Sequence, residues 1–143
     1  MKIRIQDNSL RLRMTLKEVE ALAETGRVAR SMQVQSAAGP GGRLDYELVR
    51  DATLAESDVV VTGSAVSVRL CDADFRELQR EDREGVYLRR QWTGDDGTQQ
   101  RFMAFVEKDR PGSTCEKIEQ WIYDAPARGE VELRPIPPNV RRG

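Results

Sequence analysis

The sequence predicts an α+β protein: a mostly antiparallel set of about eight strands from a tandem ββαββ repeat, barrel-like or two-layered, plus a C-terminal helix. Three observations carry this expectation. Short runs of apolar residues alternate with polar ones at a period of two. Helix-start signals interrupt those runs, and the apolar pattern of the opening recurs 56 residues later.

Taken in order, Met1, Ile3 and Ile5 alternate with Lys2, Arg4 and Gln6, and Leu10, Leu12 and Met14 alternate with Arg11 and Arg13. Asp7, Asn8 and Ser9 between them are turn formers, so the opening reads as a β-hairpin. Thr15 and Glu18 form a T-x-x-E capping box, followed by Leu16, Val19, Leu22 and Ala23 at helical spacing and by Gly26 as a stop. Met32 and Val34 then alternate with Gln33 and Gln35, "AAGPGG" reads as a flexible hairpin connection, and Leu44, Tyr46 and Leu48 alternate with Asp45 and Glu47. The first unit, about residues 1–50, is thus ββαββ.

The second unit, about residues 57–109, repeats the order. Ile3, Ile5, Leu10, Leu12, Met14, Val19 and Leu22 match Val59, Val61, Val66, Val68, Leu70, Phe75 and Leu78 without a gap, with the second helix cap expected close to Asp72. "GVYLRRQWT" and "RFMAFVEK" flank the turn "GDDG". Phe102, Met103, Ala104, Phe105 and Val106 put apolar residues on both faces, the mark of a central, doubly covered strand. From residue 111 to 143 runs an extension with an S-x-x-E box at Ser113 and Glu116, helical spacing of Ile118, Trp121 and Ile122, and a short "EVELR" strand. The 143 residues are read as a single domain, long enough to bury about 68% of the unfolded surface without a metal or disulfide.

Composition narrows the function. With 38% hydrophobic and 33% charged residues, and no membrane-length apolar run or signal-like segment, the expectation is a cytoplasmic protein with no membrane contact. A net charge of −1 argues against a general affinity for nucleic acid, although residues 1–17 carry five positive charges against one negative, Asp7. The complete absence of histidine removes every imidazole-based dyad or triad. Cys71 and Cys115 lack metal-site spacing, and no cofactor is expected. Carboxylate-bound Mg²⁺ or Mn²⁺ is the main route left to catalysis.

The candidate site is the basic set Lys2, Arg4, Arg11 and Arg13, with Arg69 as the one basic match in the second unit, where Val60 and Ser67 occupy the other two compared positions. Clustered guanidiniums suit a phosphate-bearing ligand or a protein partner; a solvated face balanced by acids such as Asp45 and Glu47 is the plainer reading. Cys71 and Cys115 sit at helix starts with no base to activate them, and Trp92 and Trp121 read as packing residues.

The motifs "MKIRI", "NSLRLR", "EVE", "TG", "LDYEL" and "FVEKD", spread over about residues 1–110, resemble a family of short bacterial proteins of unknown function. At the level of fold, two β-α-β-β-β units are similar to the triphosphate tunnel enzymes, eight-stranded barrels whose lumen holds polyphosphate between basic side chains and carboxylate-bound metal. That resemblance implies an E-x-E-x-K strand at the start, where this chain has Lys2 and Arg4; Glu130-Val131-Glu132-Leu133-Arg134 has a related pattern at the other end. The residues favour a small non-enzymatic accessory or binding protein. The alternatives are a divalent-metal-dependent tunnel-type phosphohydrolase or polyphosphate binder, and nucleic-acid binding through the basic hairpin.

Overall fold

Strict alternation of apolar and basic residues gives each opening strand one dry and one wet face, and the chain folds on that division. The computed structural model describes residues 1–109, in which Met1–Lys108 form a compact unit. The expected C-terminal helix, the 130–134 strand, Cys115 and Trp121 lie outside the described residues. β1 (Lys2–Gln6) and β2 (Ser9–Thr15) form an antiparallel hairpin pairing Ile3 with Leu12 and Arg4 with Arg11. Asp7 turns it with a left-handed φ of 48°, which Asp tolerates because its short side chain bonds locally.

The capping box then starts α1 (Leu16–Thr25): the Glu18 N–H donates to Thr15 Oγ1 at 3.2 Å, and the Thr15 N–H donates to Glu18 Oε2 at 2.9 Å. Gly26 ends the helix at φ 77°, its N–H donating to the Leu22 carbonyl. β3 (Arg27–Ser36) and β4 (Gly39–Arg50) follow as a long hairpin. Here the reading of "AAGPGG" as loop is corrected, since only Ala37 and Ala38 turn and Gly39 to Gly42 already belong to β4. A bulge between Val34 and Gln35 absorbs the irregular stretch, with Gly39 and Gly42 at positive φ. Pro40 costs no ladder bond to the next strand, because β4 meets that neighbour only from Asp45 onward.

β5 (Asp58–Thr62) and β6 (Ala65–Leu70) form the next hairpin, and α2 (Asp72–Gln79) starts at Cys71 without a side-chain cap. β7 (Gly85–Thr93) and β8 (Gln99–Asp109) close the series. The strands make two separate four-stranded sheets, ordered β1-β2-β8-β7 and β3-β4-β6-β5. Sheet pairing is antiparallel within each hairpin, but β4 and β6 run parallel. β8, which carries Phe102 to Val106, is internal to its sheet as a central strand should be, whereas β7, its partner in the hairpin, is an edge strand.

One apolar cluster draws on both sheets and both helices, with Leu12, Met14, Leu22, Leu48, Phe75 and Leu78 almost fully excluded from water. Bonds that secure the two halves recur at near-constant spacing. The Met1 ammonium donates to Glu18, and 56 positions on the Ser57 hydroxyl donates to Asp74. The Arg50 N–H donates to the Gly26 carbonyl at 2.9 Å, and 58 positions on the Lys108 N–H donates to Glu84 at 2.8 Å. Asp45 N–H to Ser64 O and Met103 N–H to Asn8 O are a third such pair.

Because Leu12 is fully buried in the shared cluster, Leu12→Ala is expected to lower unfolding stability by about 2–5 kcal/mol in urea titrations. Arg11→Ala, one residue away on the other face of β2, is expected to change it by no more than about 1 kcal/mol.

Candidate functional site

Since Leu10, Leu12 and Met14 point into the core, Arg11 and Arg13 must point to the other face of β2. Register places Arg4 opposite Arg11 and Lys2 opposite Arg13, so all four basic residues share the outer face of the first sheet. On β8, Ala104 and Val106 face the core, which turns Met103, Phe105 and Glu107 outward. The Arg11 guanidinium lies over the Phe105 ring, 4.9 Å from its centroid. Across the next ladder Phe105 faces Tyr87, with ring centroids 6.4 Å apart at 39°. A row of Arg4, Arg11, Phe105 and Tyr87 thus crosses all four strands, and its last member is 68% exposed. Below it on β7 and β8, Arg89 faces Met103 and Arg101 faces Gln91. A recess of about 50 Å³ opens between Arg4, Gln6, Ser9, Arg11 and Phe105.

Among the described residues Glu107 is a carboxylate that meets this row, its oxygens 3.2 Å from Arg11 Nε and 3.4 Å from Arg13 Nε. Arg4 bonds only Gln6, at 2.9 Å, and the Arg89 and Arg101 guanidiniums have no described partner. The acids expected to balance the stripe, Asp45 and Glu47, are on β4 in the other sheet. Arg69 is also there, 3.1 Å from Asp51, so the structure brings together four of the five expected site residues and separates the fifth. A tunnel would require these cations to line an interior; here they lie on the face opposite an apolar core.

Tyr87, Phe105, Arg89 and Arg101 complete the face and were not among the expected site residues. Their signal was present as alternation: buried Leu88 and Ala104 fix the phase, and their sequence neighbours must face outward. The run Phe102 to Val106 hides this because its outward residues are also apolar. Trp92, expected to pack, is 45% exposed near the end of the β7–β8 hairpin.

The second sheet also carries an open outer face. Ala29, Ser31, Ala65 and Ser67 floor an open depression of about 500 Å³ bounded by Arg27 and Arg43. Its acids are engaged: Arg27 Nε lies 2.5 Å from Glu47 Oε2, Ser67 Oγ donates to Glu47 Oε1 at 2.9 Å, and Arg43 pairs with Asp45 at 2.8 Å. The Arg27 hydrogen bond holds the Glu47 carboxyl below its ordinary range, against opposing burial and with help from Ser67. Cys71 is buried, with its N–H donating to Ser57 Oγ at 3.0 Å. Among the described residues no three His, Cys, Asp or Glu side chains are grouped to hold a metal, and no helix is long and apolar enough to cross a membrane.

A carboxyl held low when folded stabilises the fold above the ordinary carboxylate pKa of about 4.3, and that contribution disappears as pH falls through the folded value. Glu47→Gln is therefore expected to melt below the parent chain at pH 7 and together with it under acid, as followed by thermal unfolding across pH.

No curated protein and no solved structure was found to match the chain. Residues 1–117 match the sequence pattern of one described family. The chain therefore belongs to that family, a family of unknown function (DUF7009).

Proposed function

We propose that this chain is a non-enzymatic binding module that holds a phosphate-bearing polyanion on the outer face of its first sheet, through Lys2, Arg4, Arg11 and Arg13. The observation that carries this reading is the pairing of Arg4, which has no ion pair among the described residues, directly across the ladder from Arg11, with Lys2 and Arg13 next to them on the same face. Guanidiniums crowded on one face repel one another, and a ligand with several phosphate oxygens relieves that repulsion through paired N–H donors. Phosphate binding on an open face asks nothing of a base or nucleophile, which suits a chain without histidine. Arg69, ion-paired on the other sheet, stands outside this site.

Two further readings go with this one. The two ββαββ segments are copies of one unit, supported by the seven apolar matches and by the hydrogen bonds that recur 56 or 58 positions on. The setting is cytoplasmic, supported by the use of only two cysteines.

Calorimetric titration with tripolyphosphate at low salt tests the site. Saturable binding is expected, weakened about tenfold or more by Arg4→Glu or Arg11→Glu and strengthened by Glu107→Gln, which removes the competing carboxylate. No heat and no competition at low salt would sink the proposal, and Mg²⁺- or Mn²⁺-dependent release of phosphate would replace it with an enzyme.

A further inference from the structure

The basic face contains something that a simple phosphate clamp does not need. Tyr87 is 68% exposed, lies on the edge strand β7, and leans on Phe105, whose other neighbour is the Arg11 guanidinium. Neither ring is part of the apolar cluster that holds the fold together. Beside them, Arg89 and Arg101 face outward from neighbouring strands with no described partner. Glu107 sits toward one end of this face, while the end with Phe105, Met103 and Arg101 has no acidic residue within the described strands. The face therefore alternates π surface with positive charge.

Resting on the polyanion reading above, we infer that the ligand is single-stranded nucleic acid, with bases stacked on Tyr87 and on the exposed part of Phe105, and phosphates held by Arg4, Arg11, Arg89 and Arg101. Single strands offer unpaired bases to aromatic side chains and a flexible row of phosphates to cations, which is the complement of this surface. A duplex offers neither bare bases nor a groove matched to an open sheet, and inorganic polyphosphate leaves the rings unused. At roughly 4.8 Å per strand the row from Arg4 to Tyr87 spans about 14 Å, room for about two or three nucleotides. The small contact number fits a chain whose net charge is −1: affinity rests on stacking plus a few phosphates, not on a basic domain.

Fluorescence anisotropy with labelled 12-mer RNA and DNA single strands, an abasic 12-mer of the same phosphate number, a duplex and tripolyphosphate as competitors tests this. Single strands are expected to bind at least tenfold more tightly than the abasic strand or duplex, with a log-log salt slope of about −2 to −3. Tyr87→Ala is expected to cost about tenfold for single strands and nothing for tripolyphosphate, Tyr87→Trp to restore binding, and Arg89→Glu with Arg101→Glu to weaken every anion. The RNA and DNA arms show which strand is preferred. Equal binding of abasic and base-bearing strands, or indifference to Tyr87→Ala, overturns the inference while the polyanion site survives. Absence of binding to every anion overturns both.

Discussion

Neither half of the described chain closes a sheet by itself. The β1–β2 hairpin is extended by β8 and β7 from the far end, and the β3–β4 hairpin by β6 and β5. Left alone, each hairpin would expose a row of unpaired N–H and C=O groups and one apolar face, an arrangement marginal in water. The junctions β2–β8 and β4–β6 are thus what the fold depends on, and everything buried follows from them. Leu12 and Met14 reach full burial because α1, α2 and the second hairpins contribute to the same cluster. Because β2 finds its sheet neighbour at the end of the described residues, folding requires long-range closure before much area is buried.

Such an arrangement constrains the two faces of each sheet unequally. Inward positions are fixed in size and polarity by the shared cluster, whereas outward positions are fixed only in direction. On the proposal that the two segments are copies of one unit, positions 56 or 58 residues apart make the difference visible. Arg4 and Arg11 answer to Val60 and Ser67, while Phe105 and Tyr87 answer to Glu47 and Ala29. Equivalent backbone sites present guanidinium and aromatic surface on one sheet, and a depression floored by small residues with satisfied ion pairs on the other. On that proposal, chemistry that differs between corresponding positions is chemistry that the fold itself did not require.

Much of the framework was legible because it rests on local rules. Period-two alternation, the Thr15–Glu18 box and the Gly26 stop are properties of neighbouring residues, and each has a direct structural counterpart. What escaped depends on pairing between distant segments. No local pattern says that β8 lies beside β2, so Glu107 could not be recognised as a partner of Arg11 and Arg13, whereas Asp45 and Glu47 offered themselves as acids alternating on a neighbouring strand. The glycine run was misread for a related reason, since a bulge lets Gly39 to Gly42 stay in a strand that a propensity argument ends. Phe105 was hidden by its neighbours: an outward aromatic in an apolar run looks like core until buried Ala104 and Val106 fix the opposite face as the one that meets the apolar cluster.

A near-neutral chain with a basic face also has a physical consequence for selectivity. Exposed charges are screened beyond about 8–10 Å at physiological ionic strength, so the acidic helices and loops do little to cancel attraction at the sheet surface itself. They do weaken the long-range field that would draw any polyanion toward the protein. If the face binds an anion as proposed, recognition is shifted to contact distance, where ring faces and forked donors distinguish one anion from another. Glu107, beside Arg11 and Arg13, would then compete with the ligand's oxygens. On the proposed reading, selectivity on this surface would come from what the anion carries besides charge, and the Tyr87–Phe105 pair, with centroids 6.4 Å apart, is the part of the face suited to read it.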